Sequence, residues 1–295
     1  MARVDCPICG GSGWKVVQGD AIVSPSEVRV SANVAKQANA AGDKALVVEG
    51  WNPSHGVGLG LPRVAVRCGC GDGDRVTRLL DRARVPDRYR HCDFDNFETD
   101  NDYAGSSPEI AGWHRSLQQA KLQVQSLARD FPVGIDHGLL LMGPCGTGKT
   151  HLAVAALKEI VLRGHAGLFY DYRELLKEIQ DSYNAESQST EMGVLEPVLR
   201  ADVLMLDDLG ASKPSQWVLD TVGHILNARY NANRITLLTT NFLNQPDEKK
   251  MPREEKLEDR ISSRIRSRLY EMCRTIEMTA PDYRREIRHA GRFTG

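Results

Sequence analysis

A glycine-rich stretch, "GPCGTGKT" at residues 143–150, constrains the fold of this chain more than any other feature. It lies between an apolar run, "GLLLM", and a helix-like pattern that begins "HLAVAALKEI". Glycines at this spacing let backbone N–H groups wrap around phosphate oxygens, and the following helix adds the positive end of its dipole. The stretch therefore predicts a strand, a phosphate-binding loop and a helix in succession. The alternative is a glycine turn that only caps a helix.

The predicted loop supplies a set of candidate nucleotide-binding residues. Lys149 would neutralise the β- and γ-phosphates of ATP, and the hydroxyl of Thr150 would ligate Mg²⁺. Cys145 lies within the loop, so a redox switch based on its thiol remains an alternative. The whole candidate set is Gly143, Pro144, Cys145, Gly146, Thr147, Gly148, Lys149, Thr150 and His151, joined by Asp207 from a later strand.

Apolar runs alternate with helical patterns from about residue 89 onward. This alternation is typical of βαβ units around a parallel sheet, so we predict an α/β core with flanking helices. The strand candidates are "GLLLM", "AGLFYDY", "DVLMLDD" and "ITLLTTN".

Polar residues end two of these candidate strands. Asp207 and Asp208 close "DVLMLDD", and Asn241 closes "ITLLTTN". Asp207 would hold Mg²⁺, mostly through water, and Asp208 would orient or deprotonate an attacking water. Asn241 could position the same water against the γ-phosphate. The alternative is that these residues only cap turns.

A basic pattern, "LEDRISSRIRSRLYEMC", follows the last candidate strand. Arg260, Arg264 and Arg268 recur every fourth residue, so we expect them on one helix face. The net charge of the whole chain is only −1, so this basic character is local. A solvated face, a DNA-binding patch and an arginine finger that reaches a neighbouring subunit's nucleotide all remain open.

These motifs together resemble a known family. "GLLLMGPCGTGKTHLAVA", "VLMLDDLGASKPSQWVLD", "ILNARYNANRITLLTTNF", "SRLYEMC" and "DYRR" are similar to the AAA+ ATPases of the bacterial replicative helicase loaders (DnaC/DnaI type) and to the related IstB-type transposition helpers. The resemblance covers roughly residues 90 to 290, with the motifs in the family's order. It implies ATP hydrolysis with Mg²⁺, self-association through the ATPase domain, and contacts with single-stranded DNA and a hexameric replicative helicase.

The resemblance also assigns roles to single residues. It implies that Lys149 and Thr150 belong to the Walker A motif, Asp207 and Asp208 to Walker B, and that Asn241 is sensor 1. Many AAA+ enzymes have Glu as the second Walker B acid, whereas this chain has an Asp that is one methylene shorter. Slow or partner-stimulated hydrolysis is therefore expected.

The arginine finger falls on Arg268 or Arg264, because the "SR" dipeptide occurs twice. The spacing to "PDYRR" favours Arg268. The sequence ends soon after this helix, which predicts a truncated lid and fits the loaders better than the initiator DnaA.

Four cysteines near the N-terminus form two close pairs. Cys6 and Cys9 lie in "CPIC", and Cys68 and Cys70 lie in "CGC". Four thiolates suit tetrahedral Zn²⁺, so we predict a structural zinc site, against unpaired cysteines or a redox pair. Some helicase loaders carry such a module before the ATPase, where it is assigned to partner binding.

These patterns predict three parts of the chain. Residues 1–72 would form the zinc-binding module, residues 73–88 a helical linker, and residues 89–295 the AAA+ domain. The N-terminus has no signal-peptide pattern, so we expect a cytoplasmic protein without membrane contacts.

The helical stretch after the second strand is where the resembled family tracks single-stranded DNA. It offers Arg173, Lys177, Tyr183 and Arg200, although six acidic residues among them also fit a plain solvated helix.

The remaining conspicuous residues have structural interpretations. We interpret Cys92 and Cys273 as small core residues, Trp217 as part of a buried helix face, and Arg229 and Tyr230 as the end of that helix. The eight histidines show no ligand spacing, which predicts scattered surface or core positions.

Three functions of different classes remain: an ATP-switched helicase loader, an ATP-dependent regulator of a transposase, and a small-molecule P-loop kinase. The kinase is disfavoured because it needs an acceptor pocket and a lid rather than a sensor Asn and an arginine helix. The cysteine module favours the loader over the transposition helper.

Overall fold

The computed structural model describes five short strands between residues 14 and 67, and then residues 72–99, 107–183, 190–245 and 255–286. The predicted zinc ligands Cys6, Cys9, Cys68 and Cys70 lie outside the described residues. The chain divides into two compact units, Met1–Arg78 and Leu79–Gly295. The predicted domain boundaries at residues 72 and 88 stay predictions.

The first unit consists of short antiparallel strands. β1 pairs with β5, β5 also pairs with β4, and β2 pairs with β3. The strands are β1 (Trp14–Gln18), β2 (Ala21–Ser24), β3 (Glu27–Val30), β4 (Leu46–Val47) and β5 (Arg63–Arg67).

Helices and parallel strands alternate in the second unit, and the first helix, α1, begins in the first unit. The helices are α1 (Asp72–Arg82), α2 (Pro108–Asp130), α3 (Lys149–Leu162), α4 (Tyr172–Asp181), α5 (Glu191–Arg200), α6 (Gln216–Asn231), α7 (Leu257–Met272) and α8 (Tyr283–Glu286). The strands are β6 (Gly138–Met142), β7 (Gly167–Asp171), β8 (Val203–Asp207), β9 (Ile235–Thr240) and β10 (Cys273–Glu277).

The five strands of the second unit form one parallel sheet in the order β10-β6-β9-β8-β7. The three central strands, β6, β9 and β8, are buried along their whole length, as expected when helices cover both faces of a sheet. The α/β fold with a parallel sheet and flanking helices is therefore confirmed. All carboxyl ends lie at one edge of the sheet, where ligands bind in open α/β sheets.

The fifth strand, β10, is not among the strands that the sequence predicts. Only Cys273 and Ile276 of this strand are buried, and it lies at the edge of the sheet beside β6, so it lacks the continuous apolar run that marks the other strands. Cys273 begins this strand and is buried, as is Cys92, in agreement with their interpretation as small core residues.

Arg229 and Trp217, both on α6, differ in how deeply they are buried. Arg229 is fully buried and donates hydrogen bonds to the carbonyl oxygens of Val198, Ala201 and Ile235. These contacts connect α6 to α5 and β9, so the role of Arg229 is structural. Burial lowers the pKa of its guanidinium to about 9. Trp217 is only partly buried, so its predicted place on the buried face is wrong in part.

Within the described part of the chain, none of the helices is both long enough and apolar enough to cross a membrane.

Candidate nucleotide site

The loop 143–150 connects β6 to α3 and has the backbone that its glycines predict. Gly143, Gly146 and Gly148 all have positive φ, at 147°, 81° and 90°. A Cβ atom at Gly143 would clash with the carbonyl oxygen of Met278, and one at Gly148 would meet the ring of Phe97. Only glycine fits these positions, so the loop keeps the wrapped shape that suits phosphate oxygens.

Lys149 folds back over this loop. Its ammonium group donates hydrogen bonds to the carbonyl oxygens of Gly143, at 2.8 Å, and of Pro144, at 2.7 Å. The residue is only 6% exposed, and burial lowers the pKa of its ammonium group to about 8. No carboxylate pairs with Lys149 among the described residues, so the cation has its closest partners in neutral carbonyl groups. A phosphate would supply the negative charge that is missing there.

Thr150 and Asp207 meet at the carboxyl ends of β6 and β8. The hydroxyl of Thr150 donates a hydrogen bond of 2.8 Å to Oδ1 of Asp207, and Thr239 donates another of 2.6 Å to the same atom. Burial raises the pKa of Asp207, whereas both hydrogen bonds lower it. A hydroxyl and a carboxylate in contact are oxygen donors of the kind that Mg²⁺ prefers, so this pair fits the predicted magnesium site.

Asp208 begins the loop after β8 with a strained backbone. Its φ is 60°, which is unusual for a residue other than glycine, and its N–H donates to the hydroxyl of Thr239. Its Oδ1 accepts a hydrogen bond of 2.7 Å from the amide of Asn241, and its Oδ2 lies 4.0 Å from Arg173. Asp207 and Asp208 thus point to different partners, although they are neighbours in sequence.

Thr239 is a further site residue, which no sequence pattern predicted. Its single hydroxyl donates to Asp207 and accepts from the backbone of Asp208, so it fixes both acids. It lies two residues before Asn241 in the "ITLLTTN" strand, where a threonine reads as an ordinary β-strand residue.

The end of the described chain also contacts the loop. The N–H of Tyr283 donates to the carbonyl oxygen of Gly146, and the carboxylate of Asp282 occupies the space where a side chain at Gly146 would lie. The "PDYRR" motif therefore packs on the phosphate loop rather than on the arginine helix.

The arginine helix α7 is interrupted at Ser262, whose φ is 69° and ψ is 154°. The expectation that Arg260, Arg264 and Arg268 share one face is therefore wrong for Arg260, because a regular helical repeat does not cross the interruption. Arg260 is buried and binds the carbonyl oxygens of the loop after β8, at Gly210 and Ala211.

The two candidates for the arginine finger differ in their surroundings. Arg268 binds Asn227 and Glu271 at 3.1 and 2.6 Å, and its guanidinium lies over the ring of Tyr230. Arg264 is exposed. Arg268 is thus held against α6 in the single chain, whereas Arg264 faces solvent.

The DNA-contact candidates lie on α4, on α5 and next to α4. Lys177 is exposed, and Arg200 pairs with Glu196 on the surface of α5. Tyr183 is 52% exposed and contacts Trp217 edge to face, with ring centroids 6.4 Å apart. An exposed ring, Tyr183, and a partly buried ring, Trp217, from different helical regions therefore form one pair.

The interpretation of the histidines as scattered is wrong for one pair. His91 and His151 lie together beside Cys92, with one potential ligand atom from each of the three residues within 4.8 Å of the others. His151 follows Thr150 in the phosphate loop, but its Nε2 contacts the carbonyl oxygen of Asp93 at 2.9 Å rather than the loop.

Comparison with known proteins agrees with this geometry. The profile of the family described as IstB-like ATP binding protein matches residues 112–290. The chain is 26% identical over 168 residues to the replicative helicase loader DnaC of Buchnera aphidicola subsp. Acyrthosiphon pisum, a match that covers 57% of this chain and 63% of that protein. It is 31% identical over 118 residues to the replicative helicase loader DnaI of Bacillus subtilis, covering 40% of this chain and 36% of that one.

A solved structure agrees as well. The crystal structure of the DnaC helicase loader aligns with a TM-score of 0.52 and 29% identity, over 66% of this chain and all of that chain. The match spans less than two thirds of the length of the first DnaC relative. Because the family profile covers more than half of the sequence and includes residues 143–150, Asp207, Asp208 and Asn241, the chain belongs to the IstB-like ATP-binding protein family, one of the two groups that its motifs resemble.

Proposed function

We propose that this protein is an ATP-switched loader of a replicative helicase. The observation that carries the proposal is the meeting of Lys149, Thr150, Asp207, Asp208 and Asn241 around one edge of the sheet, in a chain whose curated relatives are named replicative helicase loaders. Binding ATP would set one state of the protein, and hydrolysis would end it.

The binding half of the site would use the phosphate loop. In this proposal Lys149 leaves the carbonyl oxygens of Gly143 and Pro144 and turns to the β- and γ-phosphates. Thr150 and Asp207 would hold Mg²⁺, which neutralises the developing phosphate charge when bound. The contacts of Thr239 keep Asp207 aimed at Thr150.

The hydrolytic half would use Asp208 and Asn241. Asp208 would accept a proton from the attacking water or orient it, and Asn241 would hold the same water in line with the γ-phosphate. The hydrogen bond between Asn241 and Asp208 keeps the two groups in one place. The short side chain of Asp208 and its ion pair with Arg173 both favour slow turnover before a partner binds.

Arg268, or alternatively Arg264, would complete the site of a neighbouring subunit. A guanidinium supplied in trans stabilises charge on the γ-phosphate during hydrolysis. This role requires self-association through the ATPase domain.

Single-stranded DNA would bind beside the pair formed by Tyr183 and Trp217. The exposed ring of Tyr183 offers a surface on which a base can stack, and Lys177 and Arg173 supply exposed positive charge on the preceding helix. Because Arg173 also lies 4.0 Å from Asp208, the same helix connects this surface to the hydrolytic acid.

We expect Tyr183→Ala to weaken binding of single-stranded DNA by roughly 5- to 100-fold, because stacking on an aromatic side chain contributes about 1–3 kcal/mol per base. Tyr183→Phe, which keeps the ring and loses only the hydroxyl contact to Glu191, should bind almost as the parent does. Fluorescence anisotropy with a labelled oligonucleotide measures both. Tyr270→Ala, at another exposed tyrosine, is the control, and equal affinity of Tyr183→Ala and the parent would rule out this surface.

The N-terminal unit would bind structural zinc through Cys6, Cys9, Cys68 and Cys70. β1 and β5 are antiparallel with Trp14 opposite Arg67, so the chain enters β1 and leaves β5 at the same end of the sheet. Cys9 precedes β1 and Cys68 directly follows β5 in the sequence, which supports one shared site.

Cys68→Ala should therefore lose about one zinc ion per chain relative to the parent and unfold the N-terminal unit, because the metal supplies much of the folding free energy of such modules. Elemental analysis of protein purified under reducing conditions without chelator measures the zinc. ATP binding by the second unit should persist. A parent protein that contains no zinc would contradict the site.

A transposition helper is the second candidate, because the matching family profile is itself named for IstB. We expect that affinity purification of the full chain from its native cell, with ATP present, recovers the hexameric replicative helicase. Recovery of a transposase in place of the helicase would overturn the loader in favour of the helper.

A further inference from the structure

Three potential metal ligands from distant parts of the sequence lie together beside the first turn of α3. His91 and Cys92 follow the 3₁₀ helix Asp87–Tyr89, and His151 belongs to α3. One potential ligand atom from each residue lies within 4.8 Å of the other two. The Sγ atom of Cys92 lies 4.0 Å from Nε2 of His91.

The backbone on both sides of His91 and Cys92 is fixed to α3. The buried ammonium group of Lys158 donates to the carbonyl oxygen of Arg90 at 2.7 Å and pairs with the carboxylate of Asp93 at 2.8 Å. The carbonyl oxygen of Asp93 also contacts His151. The helix that carries one ligand thus holds the segment that carries the other two, which limits the rearrangement that binding would need.

We propose that His91, Cys92 and His151 bind one divalent cation of the zinc class. Two imidazole nitrogens and one thiolate are ligands that Zn²⁺ accepts in a tetrahedral site, with the fourth position left to water or another ligand. Zinc–ligand bonds of about 2.0–2.3 Å place tetrahedral donors roughly 3.5 Å apart, so the Cys92 and His91 atoms at 4.0 Å must approach by about 0.5 Å and no pair of the three by more than about 1.3 Å. His91 is exposed and can turn to close this distance, and its exposure also gives the ion a path from solvent.

The charges around the cluster suit a cation. Metal binding releases the proton of the buried Cys92 thiol to solvent and leaves a thiolate. The positive charge of Lys158 is already offset by Asp93. The bound ion, the thiolate and two neutral imidazoles then carry a net charge of only about +1.

The ion would connect two parts of the nucleotide site. The ring of Phe97 packs on His151, with centroids 5.4 Å apart, and against Gly148 of the phosphate loop. A metal bridge between residues 91–92 and His151 would hold the segment containing Phe97 against the start of α3. Zinc should therefore raise the melting temperature of the second unit.

The experiment compares metal content in the full chain. The parent and the variants His91→Gln, Cys92→Ser and His151→Gln are equilibrated with Zn²⁺, freed of excess metal and analysed for zinc per chain. Each variant should contain about one zinc ion fewer than the parent. His137→Gln, at an exposed histidine outside the cluster, should contain as much as the parent. Ions bound by the N-terminal cysteines contribute equally to all five proteins.

Cobalt distinguishes this site from the N-terminal one. With Co²⁺ in place of zinc, Cys92→Ser should lose part of the thiolate-to-metal absorption, and His91→Gln should lose the zinc-dependent rise in melting temperature that the parent shows. Because His91 is exposed, its variant tests the site even where substitution of the buried Cys92 prevents folding. Equal zinc content and equal melting behaviour in the parent and in His91→Gln would overturn the proposal.

Discussion

Mixing Arg268→Ala chains with Lys149→Ala chains should restore part of the ATPase activity that each variant lacks. The first variant keeps an intact pocket and lacks the finger, and the second keeps the finger and lacks the pocket. In an equal mixture about one quarter of head-to-tail interfaces combine an intact pocket with an intact finger. Arg268→Ala alone should fall by roughly 10³-fold in turnover, because a trans-acting arginine contributes about that much or more. Lys149→Ala alone should hydrolyse less ATP because it binds ATP more weakly. Two defects confined to independent sites cannot complement each other.

A finger that serves a neighbouring subunit's nucleotide makes hydrolysis depend on assembly. In the single chain the guanidinium of Arg268 is engaged by Asn227, Glu271 and the ring of Tyr230. A neighbouring nucleotide would have to draw it from these contacts. ATPase activity per chain should therefore rise with protein concentration, or with single-stranded DNA that promotes assembly.

The same mixing experiment with Arg264→Ala decides between the two arginines. The finger is the arginine whose Ala variant is inactive alone and regains activity when it is mixed with Lys149→Ala chains. Arg274→Ala, at an exposed arginine on β10, is the matched control and should hydrolyse ATP normally without mixing. Normal turnover by both Arg268→Ala and Arg264→Ala would show instead that these arginines form a DNA patch or a solvated face. A patch would show a weaker salt dependence of DNA affinity in the same variants.

The sheet and the phosphate loop were predictable because their signals are local. "GLLLM" became β6 with the predicted bounds, and the other three candidate strands differ from the prediction by one residue at one or both ends. A buried parallel strand appears in the sequence as a continuous apolar run, and a glycine-rich loop appears as a short motif. β10 carries neither signal, so only its pairing with β6 identifies it.

The parts of the site that the sequence could not predict depend on contacts between distant residues. Nothing local marks Thr239 as the partner of both Asp207 and Asp208, and nothing in the spacing of His91 and His151 predicts that they meet. The prediction that the three arginines share one helix face failed for a related reason. A repeat of four assumes an unbroken helix, and the left-handed backbone at Ser262 interrupts it, so that Arg260 is buried while Arg264 is exposed.

Lys149→Ala and Asp208→Asn should separate binding from chemistry. The first removes the ammonium group that we propose binds the phosphates and should weaken ATP binding by roughly 10- to 100-fold, as expected for a charge-assisted hydrogen bond. The second keeps the shape and the contact with Asn241 but removes the proton acceptor. It should leave ATP affinity within a few-fold of the parent and lower turnover by at least about 10²-fold.

Matched controls come from exposed residues of the same types. Lys213→Ala removes an exposed lysine, and Asp220→Asn changes an exposed aspartate on α6 to the corresponding amide. Both should bind and hydrolyse ATP as the parent does. Melting temperatures of all four variants separate a loss of function from a loss of folding.

The most direct test of an ATP switch at this sheet edge is to measure ATP affinity and single-turnover hydrolysis on the same preparations of the parent, Lys149→Ala and Asp208→Asn. We predict that affinity is lost in Lys149→Ala and kept in Asp208→Asn, and that Asp208→Asn holds the bound ATP intact. An equal loss of affinity in both variants, or hydrolysis at the parent rate by Asp208→Asn, would contradict the roles proposed for these residues.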